Sequence, residues 1–327
     1  MANISYIEAI TMALREEMER DSKVFILGED VGKKGGVFKA TVGLYEQFGE
    51  QRVIDTPLAE SAIAGVGIGA AMYGMRPVAE MQFADFIMPA VNQIISEAAK
   101  IRYRSNNDWN CPIVIRAPYG GGVHGALYHS QSVEAVFANT PGLKIVMPST
   151  PYDVKGLLKA AIRDDDPVLF FEHKRAYRLI KGEVPEEDYV LPIGKAAVKR
   201  EGDDITVITY GLCVHFALQA AEKLAEEGIS AHVLDLRTVY PLDQEAIIEA
   251  ATKTGKVLLV TEDNKEGSII SEVSAIIAEH CLFELDAPIQ RLAGPDVPAM
   301  PFAPTMEKEF MVNTEKVEKA MRELAEF

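Results

Sequence analysis

The feature that most constrains the fold is a regular alternation of short apolar runs with longer segments of helical periodicity. Runs typical of buried strands, such as 24–27, 113–115 and 168–171, are separated by segments with the pattern of an α-helix, such as 5–20, 88–102 and 152–163. Strands connected by helices of this length pair in parallel and carry helices on both faces of the sheet. The sequence therefore predicts an α/β fold with doubly wound, mainly parallel sheets.

The alternation is interrupted over residues 181–204, where glycine, proline and acidic residues cluster without a strand or helix pattern. We therefore predict a first domain over residues 1–180, a linker over 181–204 and a second, smaller α/β domain over 205–327. Two domains also fit the length of 327 residues, because a single core stops growing near ~250–300 residues.

The charge balance is strongly acidic, with 33 Lys and Arg against 49 Asp and Glu and a formal net charge of −16. Such a surface repels phosphate backbones and anionic lipids, which argues against nucleic acid or a membrane as a partner and favours a basic protein segment. Three widely spaced cysteines predict no disulfide framework, and the first residues lack the pattern of a signal or transit peptide. We expect a cytoplasmic protein.

Glu60 is the first candidate for chemistry. Thr56 and Pro57 are typical of an N-cap and a first helical residue, and residues 62–71 are apolar or small on every side, which predicts a buried helix with Glu60 in its first turn. Two interpretations stay open at this point. Glu60 could be a carboxylate stabilised by the helix dipole, or a catalytic acid held in an apolar site.

A glycine-rich loop over residues 118–132 contains the second candidates, His124 and His129. It follows a predicted parallel strand, at the end of the sheet where ligands bind in such folds. Histidine exchanges protons near neutral pH, and the glycines allow close backbone approach, so we predict an active-site loop. No zinc-type HExxH or CxxC pattern accompanies it, so a catalytic metal is not expected. After another predicted strand, Phe86 is either a core residue or a face on which a flat ring stacks.

These patterns together make the family recognisable. The chain resembles the β subunit of the thiamine-diphosphate-dependent decarboxylating component of 2-oxoacid dehydrogenase complexes, and its 124–132 loop is similar to the branched-chain version. The resemblance implies a pyrimidine-binding thiamine-diphosphate fold followed by a transketolase C-terminal-like domain. It rests on motifs spread along the whole chain: Leu27–Val31, Thr56–Glu60, Phe83–Phe86, Gly125–Ser132, Pro141–Lys144, Asp235–Thr238 and Pro241–Asp243.

The resemblance also implies roles for individual residues. Glu60 matches the acid that hydrogen-bonds the aminopyrimidine ring of thiamine diphosphate, and Leu58, Gln82 and Phe86 match positions beside that ring. His129 matches the histidine near the reactive carbon that assists acyl transfer to the lipoyl arm. His124 is the weaker candidate for this role. A structural potassium ion is implied near the backbone carbonyls of three further residues, Ala161, Asp164 and Asp166.

The implied assembly is an α2β2 heterotetramer in which the α subunit holds magnesium and the diphosphate through a Gly-Asp-Gly motif. This chain has no Gly-Asp-Gly sequence, in agreement with half of each site being supplied elsewhere. A lipoyl acyltransferase core, with its subunit-binding domain, is the further partner that the family implies. That domain is often rich in Arg and Lys, which suits the acidic balance of this chain.

The expected function is oxidative decarboxylation of branched-chain 2-oxoacids with acyl transfer to lipoamide. The same chemistry on pyruvate or acetoin is the alternative substrate assignment. A non-catalytic assembly subunit is the alternative from another class, and Glu60 and His129 argue against it because a scaffold needs neither.

Overall fold

The computed structural model describes residues 1–327, which form two compact units. The first unit comprises Met1–Tyr119 and Val136–Ile193, and the second comprises Gly120–Ala135 and Gly194–Phe327. The loop that carries His124 and His129 therefore belongs to the second unit.

The first unit is built on a parallel sheet, as predicted. Its neighbouring strands follow the order β6-β7-β5-β4-β2-β3, and a separate antiparallel pair joins β1 to β8. Every residue of β2, β5 and β7 is buried, as expected for a sheet covered on both faces. The strands are β1 (Ala2–Ser5), β2 (Val24–Gly28), β3 (Val53–Asp55), β4 (Arg76–Glu80), β5 (Val114–Tyr119), β6 (Lys144–Val146), β7 (Val168–His173) and β8 (Lys181–Val184).

The helices of this part of the chain begin where the sequence provides caps. A capping box between Ser5 and Glu8 starts the first long helix, and Thr150 caps the helix that begins with Pro151, so both predicted helices are confirmed. The helices are α1 (Tyr6–Arg20), α2 (Leu44–Phe48), α3 (Glu60–Met72), α4 (Ile101–Arg104), α5 (Glu134–Ala138), α6 (Pro151–Arg163) and α7 (Ala176–Leu179).

The prediction of one α-helix over residues 88–102 is wrong. The chain instead forms a 3₁₀ segment (Ala84–Ala90), a π-helical segment (Asn92–Glu97), a further 3₁₀ turn (Ala98–Lys100) and then α4. Pro89 lies inside the first segment and has no backbone N–H to donate, so residues 84–90 do not form a regular α-helix.

The second unit contains a second, mainly parallel sheet with the order β14-β13-β10-β11-β9, in which β9 is antiparallel to β11. Its core packs α8 and α12 against the sheet through residues such as Ala221, Leu224 and Met321. Its strands are β9 (Ala197–Arg200), β10 (Ile205–Thr209), β11 (Ala231–Asp235), β12 (Thr238–Tyr240), β13 (Val257–Asn264) and β14 (Gln290–Gly294). Its helices are α8 (Cys213–Ala225), α9 (Gln244–Thr254), α10 (Ile269–His280), α11 (Pro304–Phe310) and α12 (Thr314–Ala325), and short 3₁₀ turns cover Ala126–Tyr128 and Leu282–Glu284. None of the helices of the chain combines the length and the apolar character needed to cross a membrane.

Residues 181–204, predicted as a linker, contain two strands. β8 pairs with β1 and β9 pairs with β11, each at the edge of its sheet. Most residues of both strands are exposed or half-buried, so neither produces the continuous apolar run that marks a buried strand. The division into domains at 180 and 205 stays a prediction.

Two of the motifs that carry the family resemblance have structural explanations. Gly142 adopts a positive φ of 99°, and a Cβ atom there would overlap the carbonyl oxygen of Ala99, so only glycine fits. Asp243 caps α9 by accepting a hydrogen bond from the N–H of Ala246.

A buried ion-pair network joins three adjacent strands of the first unit. Arg116 on β5 donates from Nη1 to Glu80 Oε2 on β4 at 2.6 Å, and from Nε and Nη2 to the carboxylate of Glu172 on β7 at 2.6 and 2.8 Å. Tyr177 completes the network by donating its hydroxyl to Glu172 at 2.7 Å. The side chains of Arg116 and Glu172 are almost fully enclosed, so their charges are satisfied by each other.

Candidate active site

The residues predicted to form the site are distributed over both units. Leu58, Glu60, Gln82 and Phe86 belong to the first unit, whereas the loop with both histidines belongs to the second.

The start of α3 differs from the prediction. The helix begins at Glu60 with Ala59 as its N-cap and has no side-chain cap, so the assignment of Thr56 as N-cap and Pro57 as first helical residue is wrong. The reason is tertiary: the N–H of Thr56 donates to the carbonyl of Gly28 at 2.9 Å, which keeps the chain extended beside β2. Leu58 lies in the connecting segment and is 77% exposed.

The prediction that α3 is buried on every side is also wrong. Ile63, Ala64 and Ile68 are buried, but Val66 is 60% exposed because only one face of the helix is covered within this chain. That covered face packs against β4 and the 3₁₀ segment 84–90. Glu60, in the first turn, is half-buried rather than enclosed.

Glu29 is a second acid in this region, which sequence reasoning did not single out. Burial raises the pKa of Glu29, and the negative charges of Glu60 and Asp30 raise it further. Glu29 follows β2 directly and Glu60 follows β3 after a short connection, so both lie beyond the carboxyl ends of neighbouring parallel strands. The sequence contained a signal that could have identified Glu29, because an acid directly after a predicted buried strand lies where ligands bind in parallel sheets.

Gln82 and Phe86 lie beyond the carboxyl end of β4, and both are half-buried. The ring of Phe86 makes an edge contact with Phe83, with centroids 5.5 Å apart, and Phe83 makes a similar contact with Phe38 at 5.4 Å. The 3₁₀ segment that carries Phe86 packs against α3. The fold thus brings together the elements that carry a carboxyl, an amide and an aromatic face, which are groups suited to a flat heterocycle with a hydrogen-bonding edge.

The histidine loop is closed at its base by a hydrogen bond from Gly120 N–H to the carbonyl of Gln131 at 3.0 Å. His129 follows the 3₁₀ turn 126–128 and is half-buried. Gly125 lies directly against it, since a Cβ atom at Gly125 would come within 2.7 Å of both Cβ and the carbonyl oxygen of His129. The backbone at Gly125 therefore forms one wall around His129.

Two acidic side chains of the second unit hold this loop. Oε1 of Glu262 accepts from the N–H of Gly121 at 2.5 Å, and Oε1 of Glu307 accepts from the N–H groups of Gly122 and His124 at 3.1 and 3.2 Å. Oε2 of Glu307 also lies 2.5 Å from Nδ1 of His124. Sequence reasoning missed both acids because they lie far along the chain in segments without a motif.

A buried acidic cluster lies at the end of the same loop. Tyr210 donates its hydroxyl to Glu134 at 2.9 Å, and Glu134 is 1% exposed. Burial, followed by the charge of Asp263, raises the pKa of Glu134 to about 8, and burial raises the pKa of Asp263 to about 6. These two groups titrate as an interacting pair, and the cluster holds protons that isolated carboxyl groups would have lost.

Two of the three carbonyl groups predicted to bind potassium, those of Ala161 and Asp164, accept hydrogen bonds. Nη1 of Arg76 donates to the carbonyl of Asp164 at 2.9 Å, and the N–H of Asp164 reaches the carbonyl of Ala161 at 3.3 Å. The carboxylate of Asp166 pairs with Arg102. Arginine thus supplies positive charge at this turn.

The three cysteines, Cys111, Cys213 and Cys281, are all free and buried. Burial raises the pKa of Cys111 to about 12, and burial also raises the pKa of Cys213. None of them is placed to act as an exposed nucleophile.

Comparison with known families agrees with this architecture. Residues 2–180 match the family model of the transketolase pyrimidine binding domain, and residues 194–317 match that of the transketolase C-terminal domain. A solved structure described as a split gene transketolase, inactive beta4 tetramer, superposes with a TM-score of 0.80 at 24% sequence identity and covers 99% of each chain. At that identity, the likeness establishes the fold.

Curated relatives match along the full length. The chain is 86% identical over 327 residues to the 2-oxoisovalerate dehydrogenase subunit beta of Bacillus subtilis (strain 168), covering 100% of both chains. It is 48% identical to the pyruvate dehydrogenase E1 component subunit beta of the same organism, again over 100% of both chains.

Glu134 generates a prediction for the pH dependence of stability. Because its pKa rises from 4.5 to about 8 on folding, the folded chain keeps a proton that the unfolded chain loses, and stability falls as pH rises through this window. The loss approaches about 1.4 kcal/mol per pH unit within the window. Glu134→Gln, a neutral isostere, should raise the melting temperature relative to the parent more at pH 8 than at pH 5.

The matched control is Glu323→Gln, which removes an exposed carboxylate 3.8 Å from Lys319. Its melting temperature should follow that of the parent at both pH values, because exposed pairs contribute little. A melting-temperature difference for Glu134→Gln that does not change with pH would show that Glu134 is ionised in the folded chain.

Proposed function

Since the chain belongs to the family of 2-oxoacid dehydrogenase β subunits, built from transketolase pyrimidine-binding and C-terminal domains, we propose that it acts in branched-chain 2-oxoacid dehydrogenase. The reaction is oxidative decarboxylation of branched-chain 2-oxoacids with transfer of the acyl group to lipoamide. The observation that carries this proposal is the 86% identity over the whole chain, against 48% for the pyruvate-type relative. Pyruvate or acetoin is therefore the less supported substrate.

Thiamine diphosphate is the cofactor that the family implies, and the first unit offers groups that fit its pyrimidine ring. Glu60 would meet the hydrogen-bonding edge of the ring, with Leu58, Gln82 and Phe86 beside it. When bound, this cofactor supplies the electron sink for loss of carbon dioxide from a 2-oxoacid. Phe86 would pack against the face of the ring, and the carboxyl group of Glu60 would form a hydrogen bond with a ring nitrogen.

Glu29 is a second acid of this region. Burial raises its pKa, and the negative charges of Glu60 and Asp30 raise it further. Glu29 therefore retains a proton more readily than a carboxyl group in water, and a protonated carboxyl can donate a hydrogen bond.

The diphosphate and magnesium need groups from a partner, because this chain lacks the Gly-Asp-Gly sequence of the family. We propose that an α subunit supplies them in an α2β2 heterotetramer. The lipoyl acyltransferase core is the further partner, and the net charge of −16 favours docking of a basic subunit-binding domain. We also propose a cytoplasmic location, because three free and buried cysteines are in keeping with a reducing compartment. The potassium site stays a prediction.

His129 is assigned to the second half-reaction. We propose that its imidazole lies beside the reactive part of the cofactor and supplies a proton to the lipoyl sulfur during acyl transfer. Its half-buried position on a loop held by backbone contacts suits a group that must keep one orientation.

The substrate assignment is tested by co-expressing this chain with its α subunit and measuring turnover across a series of 2-oxoacids. Branched substrates such as 2-oxoisovalerate should show kcat/KM at least about tenfold above that for pyruvate, since one or two methyl groups in an apolar pocket contribute roughly 1–3 kcal/mol. A preference for pyruvate would overturn the branched-chain assignment while leaving the family intact.

Glu60→Gln should fold normally and lose activity by about a hundredfold or more, because the amide cannot exchange a proton with the ring. The measurement is turnover of the assembled, cofactor-saturated enzyme. Glu245→Gln is the matched control, since Glu245 also lies in a first helical turn but is exposed, and it should keep full activity. Near-normal turnover by Glu60→Gln would show that Glu60 has no catalytic role.

His129→Ala should impair acyl transfer to lipoamide more than decarboxylation measured with an artificial electron acceptor. Acyl transfer needs a proton donor at the sulfur, whereas the artificial assay bypasses that step. His280→Ala, which removes an exposed histidine at the end of α10, should leave both rates unchanged. Equal losses in the two assays would assign His129 to an earlier step.

A further inference from the structure

The histidine loop contains backbone conformations that need external support. His124 and Ala126 have positive φ values of 56° and 52°, a region that side-chain-bearing residues adopt at a cost. Such conformations persist where the surroundings fix them. Within the loop there are one short 3₁₀ turn, the closing hydrogen bond from Gly120 to Gln131 and a hydrogen bond from Nε2 of Gln131 to the carbonyl of Leu127. The backbone N–H of His124 donates instead to a side chain outside the loop.

Glu307 is the residue that gives this support at His124. It is 3% exposed although it lies on the short helix α11, whose neighbouring residues Met306, Lys308 and Glu309 are exposed. Burying a carboxylate is unfavourable unless donors surround it. Three donors do so here: the N–H groups of Gly122 and His124, and Nδ1 of the His124 imidazole.

The contact between Glu307 and His124 also assigns the position of a proton. Nδ1 lies 2.5 Å from a carboxylate oxygen, so Nδ1 carries hydrogen and donates it. The side chain of His124 is 58% exposed, so the imidazole covers the buried carboxylate from the solvent side. His124 therefore contributes both its backbone and its side chain to one acceptor.

We propose that Glu307 is a positioning residue for acyl transfer, with His124 as its anchor on the histidine loop. Glu307 fixes Gly122 and His124, and the next residue, Gly125, lies in direct contact with His129. The orientation of His129 is thus set through the backbone by a carboxylate that never touches the reacting atoms. This inference rests on the proposed role of His129 and gives His124 a function.

A purely structural ion pair is the competing explanation, and it makes different predictions. If Glu307 only stabilises the second unit, its loss lowers the melting temperature and affects both half-reactions equally. If it positions His129, its loss increases loop motion and affects acyl transfer selectively.

The experiment compares Glu307→Ala, Glu307→Gln and the control Glu309→Ala in the assembled enzyme with its α subunit. Glu309 lies on the same helix but is exposed. Amide hydrogen exchange of the peptide covering 120–132 should become about tenfold faster or more in Glu307→Ala, as expected when bonds to a buried carboxylate are lost. Transfer to lipoamide should fall about tenfold further than decarboxylation with the artificial acceptor.

Glu307→Gln keeps a carbonyl oxygen for the two N–H groups, so its loop exchange and acyl transfer should lie between those of the parent and Glu307→Ala. Glu309→Ala should match the parent. Should Glu307→Ala fail to fold, His124→Asn is the second variant. Asparagine tolerates the positive φ but shortens the side chain, so the same selective loss should appear in smaller degree.

The proposal is overturned if exchange of the loop is unchanged, or if exchange rises while acyl transfer keeps pace with decarboxylation. The proposed role of His129 fails by a separate result, namely acyl transfer that survives in His129→Ala. The two failures are therefore distinguishable within one set of assays.

Discussion

Arg116, buried between Glu80 and Glu172, is the interaction on which the first unit depends. Its guanidinium joins β4, β5 and β7, so three adjacent parallel strands must keep one register for the charges to be satisfied. Removing one partner would leave a buried charge without compensation, which typically costs about 3–5 kcal/mol. The segment with Gln82 and Phe86 begins directly beyond β4, so a charge network in the sheet fixes where the candidate site starts.

The same unit places two acids at the ends of neighbouring strands and gives them unequal surroundings. Burial raises the pKa of Glu29, and the negative charges of Glu60 and Asp30 raise it further. A carboxyl group with a raised pKa is suited to acid–base work. In the second unit, the carboxylates of Glu262 and Glu307 instead accept backbone N–H groups and serve as structural acceptors for a loop. Glutamate side chains thus have different roles in the two units, because those in the second unit accept hydrogen bonds from backbone N–H groups.

The sequence predicted most of the fold where burial is continuous along the chain. β2 and β7 are fully buried, and their apolar runs identified them directly. The edge strands β8 and β9 were missed because most of their residues are exposed or half-buried. The start of α3 was misplaced because Thr56 pairs with Gly28, a contact between residues far apart in the chain that local propensity does not encode.

The candidate site was predictable to the extent that its residues belong to motifs. Glu60, Phe86 and His129 each lie in a recognisable string. Glu307 was not predictable, because it lies 183 positions beyond His124 in a segment without a pattern. Its role emerges from the folded arrangement of donors around one buried carboxylate, and no local signal encodes that arrangement.

Burial of every native thiol has a practical consequence for studying this protein. Thiol reagents react with the thiolate, and the raised pKa values of Cys111 and Cys213 keep those thiols protonated at neutral pH, while Cys281 is fully enclosed. A cysteine introduced on the exposed surface, for example at Glu309, would therefore be the preferred site of labelling without removal of the native ones. Spectroscopic probes can thus be attached at chosen positions while the three native cysteines stay unlabelled.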